Sequence, residues 1–364
     1  MNKRIFYYDQ LRAFAIFCII ACHVSADIVV KTEIFGTNLF IYSLILNSLR
    51  EIGVPLFVMI SGALLLNKKE NLNIFFKKRL SRVVMPYIFW LIIFYFFLLI
   101  MGNYNLIIFN MNPFDYFFAA LMGLKGVWHY LWFVPMILIV YIVIFILNKL
   151  NEKNDNTLKI ALVLSIILII LMDLKFITLS NILVSYMSYS VFAIIGYHLA
   201  NFDISNNSYL MNINLTNNAL CIFSCLLMLV IFIYQLFLDF NLSILNAKFS
   251  HVSYFEISNV FLLVSTFLFF MFLSRSSGKL REINNFLENS YIGKITLSLS
   301  LCSYGIYLCH MMILLSLKFL LDSLKPHMPS IYLTILLFLT ILCSWLLILI
   351  LDKVPYIKYF SGKS

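Results

Sequence analysis

Ten apolar runs, each long enough to cross a hydrocarbon core of roughly 30 Å, dominate this chain. They lie near residues 10–30, 40–66, 83–101, 128–148, 158–173, 181–200, 218–238, 252–273, 296–317 and 331–351, the fifth being the shortest. Lipid offers no hydrogen bonds to a backbone, so runs of this length close their own bonds as helices. The expected fold class is all-α, a polytopic membrane helical bundle of about ten transmembrane helices. At 63% hydrophobic and 12% charged residues the chain stands outside the range of soluble domains.

Lysine and arginine set the orientation. With the start of the chain inside, Lys77, Lys78, Arg79 and Arg82 fall on the cytoplasmic side, as do the basic residues of 275–294 and 353–363. The opposite side receives only Lys31, Lys125, Lys175, Lys248, Lys318 and Lys325. The positive-inside rule then predicts both termini in the cytoplasm. It also accounts for the net charge of +10, so no nucleic acid is needed to explain it. Lys3 and Arg4 precede a first run too long for a cleaved leader, which reads as a retained signal anchor in the cell (cytoplasmic or inner) membrane. The seven cysteines contain no C-x-x-C pair; Cys18 with Cys22, and Cys221 with Cys225, have the i,i+4 spacing of helix packing. Neither a disulfide framework nor a metal site is expected. Polar stretches are too short for a second catalytic unit, so residues 1–364 read as a single transmembrane domain. Residues 103–128 read as an outer-surface or re-entrant amphipathic element.

The first run, Asp9 to Val30, alone carries both an arginine and a histidine. Arg12 and His23 return to nearly one helix face, with a rise of about 16 Å between them. An ionisable group at bilayer centre costs roughly 2.5 to 3.5 kcal/mol, so such residues usually face a protein interior or a wet cavity. The plainer alternative is that Arg12 snorkels to the headgroups and His23 packs as a satisfied imidazole.

Further stretches accompany this helix: GVPLFVMISG at 53–62 with Arg50 just ahead, the R-x-x-R of Arg79 and Arg82 before Pro86, HYLWFVP from His129, and SLSLCSYGIYLCH ending at His310. Together with the D-x-L-R-A run and the arginine and histidine of the first helix, they resemble the acyltransferase 3 family of integral membrane acyltransferases, in family order along nearly the whole chain. The resemblance implies transfer of an acyl group, commonly acetyl from acetyl-CoA, to hydroxyls of surface polysaccharides or lipid-linked glycans. Partners would be a coenzyme A thioester, a glycan acceptor and membrane lipid.

Depth along the helices divides the residues into two layers. Arg12, Arg79 and Arg82 lie low, where the forked guanidinium suits the phosphates of coenzyme A. For Lys68, Lys69, Lys77 and Lys78 a simple anchoring role is preferred. His23, Arg50 and His310 share an outer-half layer, with His129 and Trp132 just above it as acceptor contacts and Tyr307 one turn before His310. Attack by a hydroxyl on a thioester needs a base and a group to steady the oxyanion. His23 is read as the base. Arg50 is read as the oxyanion or substrate-anion partner, and His310 as a second proton carrier or a substrate contact. Direct transfer is the simpler scheme, and an acyl-histidine intermediate is the other.

Other polar residues are discounted. Asp27 is expected to be solvated, Asp9 to pair with Arg12, and His198, His251 and His327 to be interface histidines. Glu51 points about 100° away from Arg50, which leaves its role open. Two rival functions belong to other classes. A transporter or flippase of a lipid-linked glycan would be expected to show discontinuous helices or inverted repeats; no repeat is evident. A non-catalytic component of a polysaccharide assembly complex would tolerate loss of His23.

Overall fold

The computed structural model describes residues 4–100, 130–177, 181–202, 216–251, 253–321, 323 and 328–363. His129, His327 and the element expected over 103–128 lie outside them. Every regular element described is helical: α1 (Phe6–Val29), α2 (Asn38–Ser48), α3 (Arg50–Leu65), α4 (Leu72–Ile100), α5 (Phe133–Asn151), α6 (Thr157–Asp173), α7 (Ile182–Ser188), α8 (Ser190–Ala200), α9 (Asn217–Leu245), α10 (Ile257–Arg275), α11 (Gly278–Asn289), α12 (Tyr291–Leu320) and α13 (Pro329–Lys353), with short 3-10 turns between. Among the described residues nine stretches are long and apolar enough to cross a membrane, α2 with α3 and α7 with α8 each counting as one. The fifth run expected from the sequence is α6, whose 17 residues reach about 25 Å and fall short of the other spans. The architecture is an all-helical, multi-pass membrane bundle.

Side-chain caps start several of these helices at polar residues just ahead of the apolar run. Thr37 accepts from the Phe40 N–H, Thr216 from Ala219 and Ser290 from Gly293, each satisfying a first-turn donor that lipid could not. Two spans are broken. The regular helix is interrupted at Leu49, between α2 and α3, and again at Tyr189, between α7 and α8, although both residues keep right-handed helical φ and ψ. The first break is pinned from the side, because Ser48 donates to the Asp239 carboxylate of α9 at 3.0 Å.

Burial separates centre from periphery. More than half of the apolar window is buried in α1, in α2–α3 and in α12, against 17% in α9, whose Phe223, Val230 and Ile233 point outward as lipid-facing residues would. Helix α1 packs on α12 in a parallel register. Ser300 donates to Asp9 at 2.6 Å, and Lys318 pairs with Asp27; both pairs are 291 positions apart. Helices α3 and α8 cross with their backbones touching. A Cβ added at Gly62 would run into the Ala193 backbone, and one at Gly196 into that of Met59. Small residues allow such an approach, which in a membrane substitutes packing and dispersion for the missing hydrophobic drive.

Candidate functional site

A cavity of about 1040 Å³ opens where α3 hands over to α4. Arg12 of α1, Lys68 of the connection, Lys78, Arg79 and Arg82 of α4, and Lys358 and Lys363 beyond α13 all line it, and Glu70 is the one carboxylate among its described lining residues. The remaining wall is apolar or aromatic, with Phe57, Ile137, Tyr141, Tyr304 and, about 24 Å along α12 from its start, Tyr307. A strongly cationic entrance thus leads to an aromatic shaft.

Not all of the cations are equally available. Arg79 donates to Glu70 at 2.5 Å and to the Phe75 carbonyl at 3.1 Å, with its guanidinium 4.1 Å above the Phe75 ring, while Lys78 reaches Glu70 at 3.0 Å. Partial burial pushes the Glu70 carboxyl up, but hydrogen bonds from Lys78 and Arg79 outweigh it and hold the group below the usual carboxylate range. These pairs therefore persist at neutral pH and break only as pH falls through that lowered value. Lys68 and Arg82 form no ion pair among the described residues. Asp9 pairs with Arg12 at 4.0 Å, as the i,i+3 spacing suggests, and shares its buried carboxylate: Arg4 grips it with two bonds of 2.6 and 2.7 Å, and Ser300 donates to it at 2.6 Å.

Past the inner end of the cavity sit two imidazoles. His23 of α1 and His310 of α12 have ring centroids 5.2 Å apart, with Tyr130 at 5.3 Å from His310 and 6.3 Å from His23. Tyr307 connects them to the cavity: its ring is 5.9 Å from that of His310, and its hydroxyl donates to the Tyr130 carbonyl. His310 is wholly buried, and its Nδ1 lies 2.6 Å from the Tyr307 carbonyl. A carbonyl can only accept, so the proton sits on Nδ1 and leaves a lone pair on Nε2. That Nε2 is buried with no hydrogen-bond partner. Sequence spacing placed the two histidines at one depth; their rotation towards each other comes from the α1–α12 register.

Arg50 belongs to a neighbouring polar group. Its Nε donates to Glu51 Oε1 at 2.7 Å, and its guanidinium lies 5.8 Å from the Phe249 ring. The two side chains meet although their helical positions diverge, because Arg50 opens α3 at the break and can turn back along the chain. Arg50 Nη2 and Glu51 Oε2 are buried without partners. His251 comes within 3.8 Å of Glu51, which gives it a polar neighbour as well as an exposed face. Trp132 stands in an aromatic group close by, 5.4 Å from Tyr189 and 6.5 Å from Tyr254. Asp27 is exposed and paired with Lys318, and His198 bonds the Leu158 carbonyl at 2.9 Å. Sequence reasoning missed Glu70 and the residues beyond α13; their lysines and tyrosines read there as ordinary interface residues.

A family model described as an acyltransferase domain matches residues 5–349. No curated protein and no solved structure matches the chain.

Proposed function

The chain belongs to the acyltransferase 3 family of membrane acyltransferases, and from that premise we propose that it moves an acetyl group from acetyl-CoA to a hydroxyl of a surface polysaccharide or lipid-linked glycan. The observation carrying this reading is the single cavity that runs from seven cations to Tyr307, whose ring abuts the imidazole pair. A phosphorylated carrier suits the cationic end, since arginine binds phosphate with a rigid fork and lysine with a point charge. A thioester arm suits the aromatic shaft. The orientation that goes with it has the cavity opening to the cytoplasm, with both termini there, in the cell membrane.

In the step itself the acceptor oxygen attacks the thioester carbonyl carbon. The new C–O bond forms as the C–S bond breaks, His23 takes the hydroxyl proton, and that proton is then passed on to the departing thiolate, which leaves as the free thiol of coenzyme A and returns the imidazole to its neutral form. Nε2 of His310, with its lone pair and no partner, suits the second proton carrier beside His23. Arg50 and Glu51, with one unpartnered atom each, suit a polar acceptor, and Trp132 offers a face for a sugar ring.

The broken spans at Leu49 and Tyr189 are what a glycan transporter would also display. Family membership favours transfer, and one experiment separates the two. Purified protein in liposomes is given radiolabelled acetyl-CoA and a lipid-linked glycan fraction. The expected result is label in the glycan; glycan crossing the bilayer with no label incorporated would replace the enzyme with a transporter.

Two substitutions probe the entrance. Arg82→Ala should raise the donor KM roughly tenfold, the worth of about one charge-assisted hydrogen bond, and leave kcat within a factor of two or so. An unchanged KM would remove Arg82 from the donor site. Glu70→Gln, by releasing Lys78 and Arg79 from their carboxylate, should tighten coenzyme A binding several-fold, roughly one weak ion pair in energy. Calorimetry that finds weaker binding would mean that Glu70 orders the site and does not compete within it.

A further inference from the structure

Beyond α13 the chain does not trail away. Residues 354–363 turn back and dock in the groove between α4 and α12. Phe360 stacks on Phe89, with centroids 5.6 Å apart, and Trp90 Nε1 donates to the Ser361 carbonyl at 3.4 Å. Gly362, at φ +82°, lies against Gly305 so closely that a Cβ would come 2.8 Å from the Gly305 Cα. Lys363 pairs with Asp352 at 2.6 Å. Ser361 is wholly buried. This segment is a fixed wall of the cavity, and Tyr356, Lys358, Tyr359 and Lys363 line it.

Two features of that wall are not explained by packing. Tyr356, at φ +68° and ψ −45°, is the centre of a positive-φ γ-turn closed by the Ile357 N–H to the Pro355 carbonyl at 2.9 Å, a rare and strained backbone, and such outliers cluster at binding sites. Tyr356 and Tyr359 are also 82% and 67% exposed, although they sit at a cavity rim beside three cations that form no ion pair among the described residues, Lys68, Arg82 and Lys358. Tyrosines of a membrane-interface belt would face lipid headgroups; these two share a cavity with cations.

We propose that segment 354–363 is a nucleotide-binding element, with Tyr356 and Tyr359 stacking on the purine of a nucleotide-bearing thioester donor and Lys358 meeting one of its phosphates. The assignment rests on the donor reading above and adds to it where the nucleotide end is held. Every purine has a π-face, and aromatic stacking holds a base without reading its edges. Lys358, whose Nζ lies 5.1 Å from the Tyr359 ring centroid, is close enough to serve a base-linked phosphate from the same platform. The acyl end then points down the shaft towards Tyr307.

The test uses the full chain in lipid nanodiscs and calorimetry with three probes: coenzyme A, adenosine bisphosphate and phosphopantetheine. Replacing both tyrosines by alanine should weaken coenzyme A and adenosine bisphosphate roughly tenfold, the scale of one stacked base, and leave phosphopantetheine unchanged. Replacing both by phenylalanine should restore binding, since only the ring face is required. Both residues are exposed, so melting temperatures should match the parent. If the alanine variant binds adenosine bisphosphate as tightly as the parent, the nucleotide element is not here. If the parent itself binds none of the three probes, the donor reading falls and this assignment with it.

Discussion

His23→Ala is expected to lower acetyl transfer by about 10² to 10⁴-fold, the range of a lost general base, with coenzyme A binding retained. The separation follows from geometry. Arg12 is separated from His23 by about 16 Å of helix rise, and neither His23 nor His310 is among the residues that line the cavity. His310→Gln is expected to fall in the same range. If the two rings, 5.2 Å apart, act as the proposed relay, the double variant should be little worse than either single one, as groups working as a unit are strongly non-additive. Single-turnover assays with labelled acetyl-CoA measure all three. Turnover by His23→Ala within a factor of a few of the parent would end the imidazole mechanism, and additive losses would separate the two histidines.

Gly62→Leu should prevent recovery of folded protein. Side chains can yield to an added group, but here the obstacle is the backbone of Ala193, and Gly196 meets Met59 in the same way. Overpacking a well-filled core costs about 1 to 3 kcal/mol, and a contact between two backbones belongs at or beyond the upper end. The measurement is the monodisperse fraction in detergent together with the melting temperature. A Gly62→Leu protein that melts with the parent would show that α3 and α8 can separate at no cost.

The long helices were legible because lipid imposes one periodicity and one length. Depth was legible too: rise per residue alone puts Arg12 near one face and His23 and His310 in one layer. What sequence spacing lacks is rotation between helices and the course of short connections. Asp9 does pair with Arg12 one turn away, but its closer partners Arg4 and Ser300 come from the chain start and from the packing of α12 on that side. Glu51 diverges from Arg50 on an ideal helix and meets it at a break just ahead of Gly53 and Pro55, the latter unable to bond the Glu51 carbonyl four residues back. The cations of 354–363 carry the same letters as any interface anchor. Only the folded chain brings them to the cavity of Arg12 and Arg82.

Arg12 and His23 are carried by one uninterrupted helix at the centre of the bundle. Their separation is a ruler built from consecutive hydrogen-bonded turns, so it does not depend on how neighbouring spans lean. In the proposed reaction, bilayers of different thickness would tilt or bow the lipid-facing helices without altering the distance from Arg12 to His23. Insensitivity to bilayer thickness would then be a property of α1, while α9, largely unburied at the rim, adapts.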